Sequence, residues 1–173
     1  MINGGVTMFL NKLKPENQEK FLQLACILCH ADGNYAEQER QMMRLYSAEF
    51  EREDGVSIVE KFEADEEAHS QEGEKDFQLA YRFRSVIEDV KENSNMKERK
   101  IILFELMVLS YVDKSFSERE EKLIEDAYEA FEFKEDSFTL IQDREYYFDI
   151  AAVKRMFNEY MELQKEMTSY VLG

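Results

Sequence analysis

Two short acidic segments, at positions 31–39 and 112–120, carry the residue types that could bind a metal ion. Each contains an Asp and, seven residues later, a Glu. The four residues are Asp32, Glu39, Asp113 and Glu120. Oxygen ligands alone favour calcium, magnesium or manganese. These four side chains are therefore candidate ligands of a divalent cation.

The two segments do not follow the EF-hand pattern. A bidentate Glu is required at the twelfth loop position, where this sequence has Met43 or Ile124, and neither loop has Gly at its sixth position. A simpler alternative, which we favour, is that each Asp accepts backbone N–H bonds from the start of the next helix while each Glu faces the positive end of that helix dipole.

Cys26, Cys29 and His30 form a C-x-x-C-H pattern, which is typical of c-type haem attachment. The cysteines lie within an apolar stretch, with no export signal before them, so we expect no haem and two buried free thiols. A thioredoxin-like role would need a βαβ setting, which this sequence lacks. His69, the second histidine, falls in a charged segment and would make a poor fourth zinc ligand.

No residue pattern supports catalysis. The two histidines lie in unrelated contexts, no Ser-His-Asp arrangement has motif support, and no glycine-rich phosphate loop is present. We therefore expect a protein that is not an enzyme.

The elements that position these residues are predicted to be helices. Six Gly and one Pro supply few turns for a many-stranded protein. Two segments are apolar at nearly every position, FLQLACILC at 21–29 and IILFELMVLSYV at 101–112, as in helices at the centre of a bundle. The chain length suits one domain. We expect an all-α fold, a single helical bundle covering residues 1–173.

Between Glu49 and Asp76 the chain carries twelve acidic residues and two glycines. Ser57 followed by Glu60 is a capping-box pattern, which indicates the start of a helix, and Ser117 followed by Glu120 is another. We expect a short helix within a mobile, charged connection at about 51–76.

Apolar residues spaced three and four apart predict further helices whose stripes face the core. One stripe begins at Phe77 and includes Ala80, Phe83, Ile87 and Val90. The last helix has Ile150, Val153, Met156, Phe157, Tyr160, Met161 and Met167.

The net charge of −16 argues against several partners. It repels a nucleic-acid backbone and an anionic membrane surface. Met1 to Lys14 has no secretory signal pattern, and no apolar run reaches membrane-spanning length. We expect a cytoplasmic chain without direct membrane insertion whose partner is a protein.

The two acidic segments align with each other at an offset of 81 residues, with Tyr35 and Phe116 each three positions after the Asp. This match predicts an internal duplication of a helix, acidic turn, helix unit. An apolar helix followed by A-D-G and an acidic helix start resembles the TerB-like domain, which includes a tellurite-resistance protein and the amino-terminal domain of DjlA co-chaperones. The resemblance covers about residues 21–131.

This resemblance implies a duplicated, all-helical cytosolic fold linked to stress or tellurite response. It also implies binding of a divalent metal or a partner. Two positions depart from the pattern: Ala36 replaces the usual Ser or Thr cap, and Lys114 replaces the second turn glycine. The sequence therefore favours a non-catalytic interaction or scaffold module, with a divalent-cation sensor as the alternative.

Overall fold

A computed structural model describes residues 9–110, 117–133 and 147–173 of the chain. The fold is all-α, as predicted. The described residues form a short 3-10 turn at Leu10–Lys12 and seven helices, α1 (Pro15–His30), α2 (Glu37–Glu49), α3 (Gly55–Gln71), α4 (Asp76–Glu92), α5 (Met96–Ser110), α6 (Glu118–Ala130) and α7 (Ile150–Leu172).

Helix α1 lies at the centre of the fold and packs against α2, α3, α4 and α5. It begins at Pro15, whose missing N–H would have no partner in the first turn. Both Phe21 and Leu24 are fully buried, and so is every residue from Ala25 to Cys29. The run of apolar residues therefore reflects burial on nearly all sides of α1.

Helix α5 is the second strongly buried helix, again as its sequence predicts. Ile102, Leu103, Leu106 and Met107 are fully buried, and the helix packs against α1 and α6. Buried Glu105 accepts a hydrogen bond from the Phe9 backbone N–H (3.0 Å), so its carboxylate is not left without a donor.

Helix α3 corrects one sequence prediction. The segment expected to hold only a short helix forms 17 residues of helix, starting at Gly55 rather than at Ser57. Val59, Phe62 and Glu66 are buried against the fold. The Ser57 hydroxyl donates to the Asp54 carbonyl oxygen instead of forming a capping box.

The apolar stripe of α7 also departs from expectation, because no residue of this helix is buried. Val153 and Phe157 are half-buried against the core, but Met156, Tyr160 and Met167 are 54%, 41% and 59% exposed. A stripe that the sequence assigned to the core therefore lies largely on the surface.

Helix bounds recur along the chain at the predicted offset. The bounds of α2, 37–49, become 118–130 when 81 is added, and these are the bounds of α6. Glu51 and Glu132, also 81 positions apart, both adopt a positive φ, of 52° and 64°. These correspondences support the internal duplication, which stays a prediction.

Candidate functional site

The first acidic turn joins α1 to α2. Gly33 adopts a φ of 78°, a left-handed conformation that glycine accommodates without strain. Asp32 Oδ1 accepts a hydrogen bond from the Asn34 backbone N–H (2.9 Å). The Asp32 carboxylate thus stabilises the turn itself rather than the start of α2, which begins five residues later at Glu37.

The two glutamates of the acidic segments serve equivalent structural roles. The Glu39 Oε2 accepts from the Ala36 backbone N–H (2.8 Å), and the Glu120 Oε2 accepts from the Ser117 backbone N–H (2.9 Å). The Ser117 hydroxyl also accepts from the Glu120 backbone N–H (3.2 Å), which confirms the predicted capping box. Both glutamates are buried, so each carboxylate binds the start of its own helix.

A guanidinium group lies close to the first turn. The Arg119 Nη1 donates to the Ala31 carbonyl oxygen (3.2 Å), and the Nη2 lies 3.0 Å from Asp76 Oδ1. The start of α6 therefore reaches the turn between α1 and α2, although Asp113 itself lies outside the described residues. Within the described ranges, no three His, Cys, Asp or Glu side chains are grouped as metal ligands would be.

The thiols of Cys26 and Cys29 are buried and are not joined in a disulfide, which confirms their predicted burial. Burial raises the pKa of the Cys26 thiol far above its ordinary value, so it stays protonated and unreactive. His30 Nδ1 donates to the Cys26 carbonyl oxygen (2.7 Å), and the His30 ring stacks on Tyr35 at 4.0 Å. Cys26 and Cys29 are therefore core residues, and His30 is the last residue of α1.

A cavity of about 520 Å³ opens beside this turn, lined in part by His30, Tyr35, Arg40 and Arg119. The Arg40 guanidinium lies over the Tyr35 ring at 4.8 Å from its centroid. Burial raises the pKa of Tyr35, so its hydroxyl remains neutral. The cavity is polar and carries both signs of charge, and its residues are largely engaged with one another.

Helix α3 is tied to its neighbours by arginines. Arg82 of α4 binds Glu66 through two nitrogens (2.7 and 2.9 Å) and Glu74 through two (2.6 and 2.8 Å). On the other side, Arg40 and Arg44 of α2 both bind Glu63. Sequence reasoning missed these contacts because Glu63 and Glu66 belong to a different helix from their arginines, and Glu74 lies in the connection before α4.

Two aromatic side chains project from α4 into solvent. Phe77 is 69% exposed and Tyr81, one turn later, is 76% exposed. The expectation that Phe77 faces the core is therefore wrong. The exposure of Tyr81 could have been predicted from the sequence, because a side chain two residues before buried Phe83 lies on the opposite side of the helix.

Clefts lined by both acidic and basic side chains lie on both sides of Tyr81. A cleft of about 580 Å³ is lined by Phe77, Tyr81 and Glu72, among others. A second, of about 300 Å³, includes Tyr81, Asp65 and Asp89. We call the exposed face formed by these five residues the α3–α4 face. It offers aromatic rings beside carboxylates, a combination that suits a cationic group.

In the part of the chain that the structure describes, no helix combines the length and apolar character needed to cross a membrane.

Comparison with protein families matches residues 18–143 to the family described as tellurite resistance protein TerB. No curated protein and no solved structure matches the chain. The family match spans well over half of the chain and contains both acidic segments. Together with the all-helical fold, it shows that this chain belongs to the TerB family.

Proposed function

We propose that the chain is a non-catalytic interaction module that holds a basic segment of a partner protein against the α3–α4 face. The observation that carries this proposal is the exposure of Phe77 and Tyr81 on one side of α4. Large aromatic residues are enriched at protein interfaces because they bury much area with few rotatable bonds. Their exposure is costly unless a partner covers them.

Charge indicates what kind of partner fits. The chain carries a net charge of −16, and Asp65 and Glu72 line the clefts beside the two aromatic rings. Asp89 also lies there and pairs with Lys20 at 3.6 Å. Lysine and arginine side chains are attracted both by carboxylates and by aromatic faces. A segment rich in these residues would therefore be steered to this face and then held by the rings.

The biological setting that we propose is a cytoplasmic response to tellurite or a related stress, on the strength of the family description. Cells lacking the gene should grow less well than the parent in potassium tellurite. Restoring the wild-type gene should restore growth, whereas a Phe77→Ala, Tyr81→Ala double variant should not. Equal growth of parent and deletion strains would remove the tellurite link.

The partner can be identified by placing a photo-crosslinking amino acid at Gln78, an exposed position between the two aromatic residues. We expect the crosslink to fall in a Lys- and Arg-rich segment. Calorimetry with the purified partner should then show binding at least about tenfold weaker for Phe77→Ala with Tyr81→Ala, corresponding to about 1.4 kcal/mol.

The matched control is Leu45→Ala on α2, since Leu45 is 43% exposed and lies away from this face. It should bind like wild type. A partner that crosslinks through an acidic segment, or that binds the double variant as tightly as wild type, would contradict the proposal. Neutralising the exposed acids by Asp65→Asn and Glu72→Gln should weaken binding and reduce its salt dependence.

Binding of calcium, magnesium or manganese at the two acidic turns remains the alternative function. The contact between Arg119 and the Ala31 carbonyl brings the start of α6 to the first turn, as a shared site requires, although it also places a positive charge there that disfavours a cation. Calorimetry with each cation tests this alternative. Heat that disappears in an Asp32→Ala, Asp113→Ala variant would support it, and no heat with any of the three ions would end it.

A further inference from the structure

The outer part of α7 is an amphipathic helix whose apolar side faces solvent. Near its start, the Phe157 ring lies 5.5 Å from the Phe104 ring of α5, so this end is attached to the core. Beyond that contact, Tyr160 and Leu163 are 41% and 52% exposed, and Tyr170 is 92% exposed. These residues form a row that nothing covers within the described chain.

The spacing of this row is that of a coiled coil. Intervals of three and four residues alternate along the helix, at Val153, Met156, Tyr160, Leu163, Met167 and Tyr170. This average of 3.5 keeps a narrow seam on one side of the helix, facing a partner helix. Along the outer part of the helix, the positions that flank the seam include Glu159 and Glu166 on one side and Gln164 on the other.

The part of α7 beyond Phe157, residues 158–172, is poorly stable as an isolated helix. A helix of about 15 residues is marginal in water, and most helical stability in proteins comes from packing of the apolar side. The seam residues gain this packing only when another surface covers them. The identity of that surface follows from charge.

Charge on α7 differs from charge on the rest of the chain. The helix has three basic and three acidic residues, namely Lys154, Arg155, Lys165, Glu159, Glu162 and Glu166. It is therefore neutral within a chain of net charge −16. Two copies of α7 can approach each other without the repulsion that two acidic bodies would suffer.

Other occupants fit less well. Helices that lie on membranes are rich in Lys and Arg on their polar side, whereas the polar side of α7 is balanced. Because α7 carries no net charge, it does not attract a basic peptide electrostatically. A second α7 has the same seam spacing and the same balanced charge.

We infer that α7 pairs with α7 of a second copy of the chain, through the seam residues from Tyr160 to Tyr170. The pairing is isologous, with the same surface contributed by both copies. It shares no residue with the α3–α4 face, so dimer formation and partner binding can fail independently. The dimer presents two such faces, which raises the avidity for a partner with repeated basic segments.

Sedimentation of the full chain over about 1 to 200 µM should show a monomer and dimer in equilibrium, with a dimer dissociation constant in the micromolar range. Leu163→Glu should weaken dimerisation at least about tenfold, since it places a charge in the seam. Leu163 is half-exposed in the single chain, so this variant should fold normally, as circular dichroism will show.

Asn158→Glu is the matched control, because it adds the same charge at an exposed position of α7 away from the seam. It should dimerise like wild type. A second seam variant, Met167→Lys, should behave like Leu163→Glu although its charge is opposite. A wild-type chain that stays monomeric throughout this range would overturn the inference, as would equal weakening by Asn158→Glu. Monomers that bind vesicles of phosphatidylcholine and phosphatidylserine would also overturn it.

Discussion

Asn17 and Glu98 are joined by a buried hydrogen bond in which Asn17 Nδ2 donates to Glu98 Oε2 at 2.7 Å. The two residues lie 81 positions apart, the same offset that relates α2 to α6. Each is the third residue of its helix, in α1 and α5 respectively. A duplicated fold would bring such equivalent positions together where its two halves meet. The pair therefore links the two most buried helices.

Replacing Asn17 with Ala should lower the free energy of unfolding by about 1–3 kcal/mol, because a buried carboxylate loses a donor. Urea denaturation measures this change. The control is Asn158→Ala, at an exposed position of α7, which should stay within about 0.5 kcal/mol of wild type. A loss for Asn17→Ala no larger than that of the control would contradict the role assigned to the bond.

Glu98 should also contribute to the pH dependence of stability. Burial alone would raise its pKa, but donors from Asn17 and the Lys14 backbone N–H outweigh that effect and hold the pKa below 4.5. The unfolded chain therefore binds the proton more readily than the folded one. Stabilisation by this group is present above about pH 4.5 and is lost as pH falls through the folded pKa.

Glu98→Gln should remove this part of the acid destabilisation, so the curve of unfolding free energy against pH should be flatter below about pH 4.5. The control is Glu16→Gln, which changes an exposed residue in the first turn of α1. Curves for wild type and Glu98→Gln that stay parallel throughout the acid range would show that Glu98 does not contribute.

Arg82 should be one of the residues most sensitive to substitution. Its guanidinium binds both Glu66 and Glu74, whose side chains are 5% and 10% exposed. Arg82→Met leaves two mostly buried carboxylates without their partner, at a cost on the order of 3 kcal/mol. Adding Glu66→Gln and Glu74→Gln should recover much of this loss, because the charges no longer need compensation. No recovery in the triple variant would show that packing of the Arg82 stem dominates.

Glu51 adopts a left-handed conformation after α2 that is unfavourable for any residue with a Cβ. Glu51→Gly should raise the free energy of unfolding by up to about 1 kcal/mol, since relief of strain exceeds the added entropy of the unfolded chain. Glu60→Gly, inside α3, should lower stability by about 1 kcal/mol. The opposite signs of the two changes, measured by thermal unfolding, distinguish local conformation from a general effect of glycine.

Several elements were predictable because their signals are local. Pro15 indicates the start of α1, and the apolar run that follows indicates its burial. Ser117 and Glu120 lie three residues apart, and their capping box forms as expected. Such patterns depend on neighbours along the chain, so the sequence alone is enough to interpret them.

Other features depend on partners that are distant in sequence. The length of α3 was underestimated because its acids are compensated by Arg40, Arg44 and Arg82, which belong to α2 and α4. Whether the stripe of α7 meets the core depends on how much core remains uncovered by the earlier helices. Periodicity identifies an apolar side, but it does not identify what covers that side.

The central position of α1 has a consequence for how the fold opens. Four other helices surround α1, so its amide hydrogens can reach solvent only when the bundle separates as a whole. The outer turns of α7 make no such contacts and can unwind by themselves. Deuterium should therefore enter α7 first and α1 last, and the slowest rates in α1 should equal those of global unfolding.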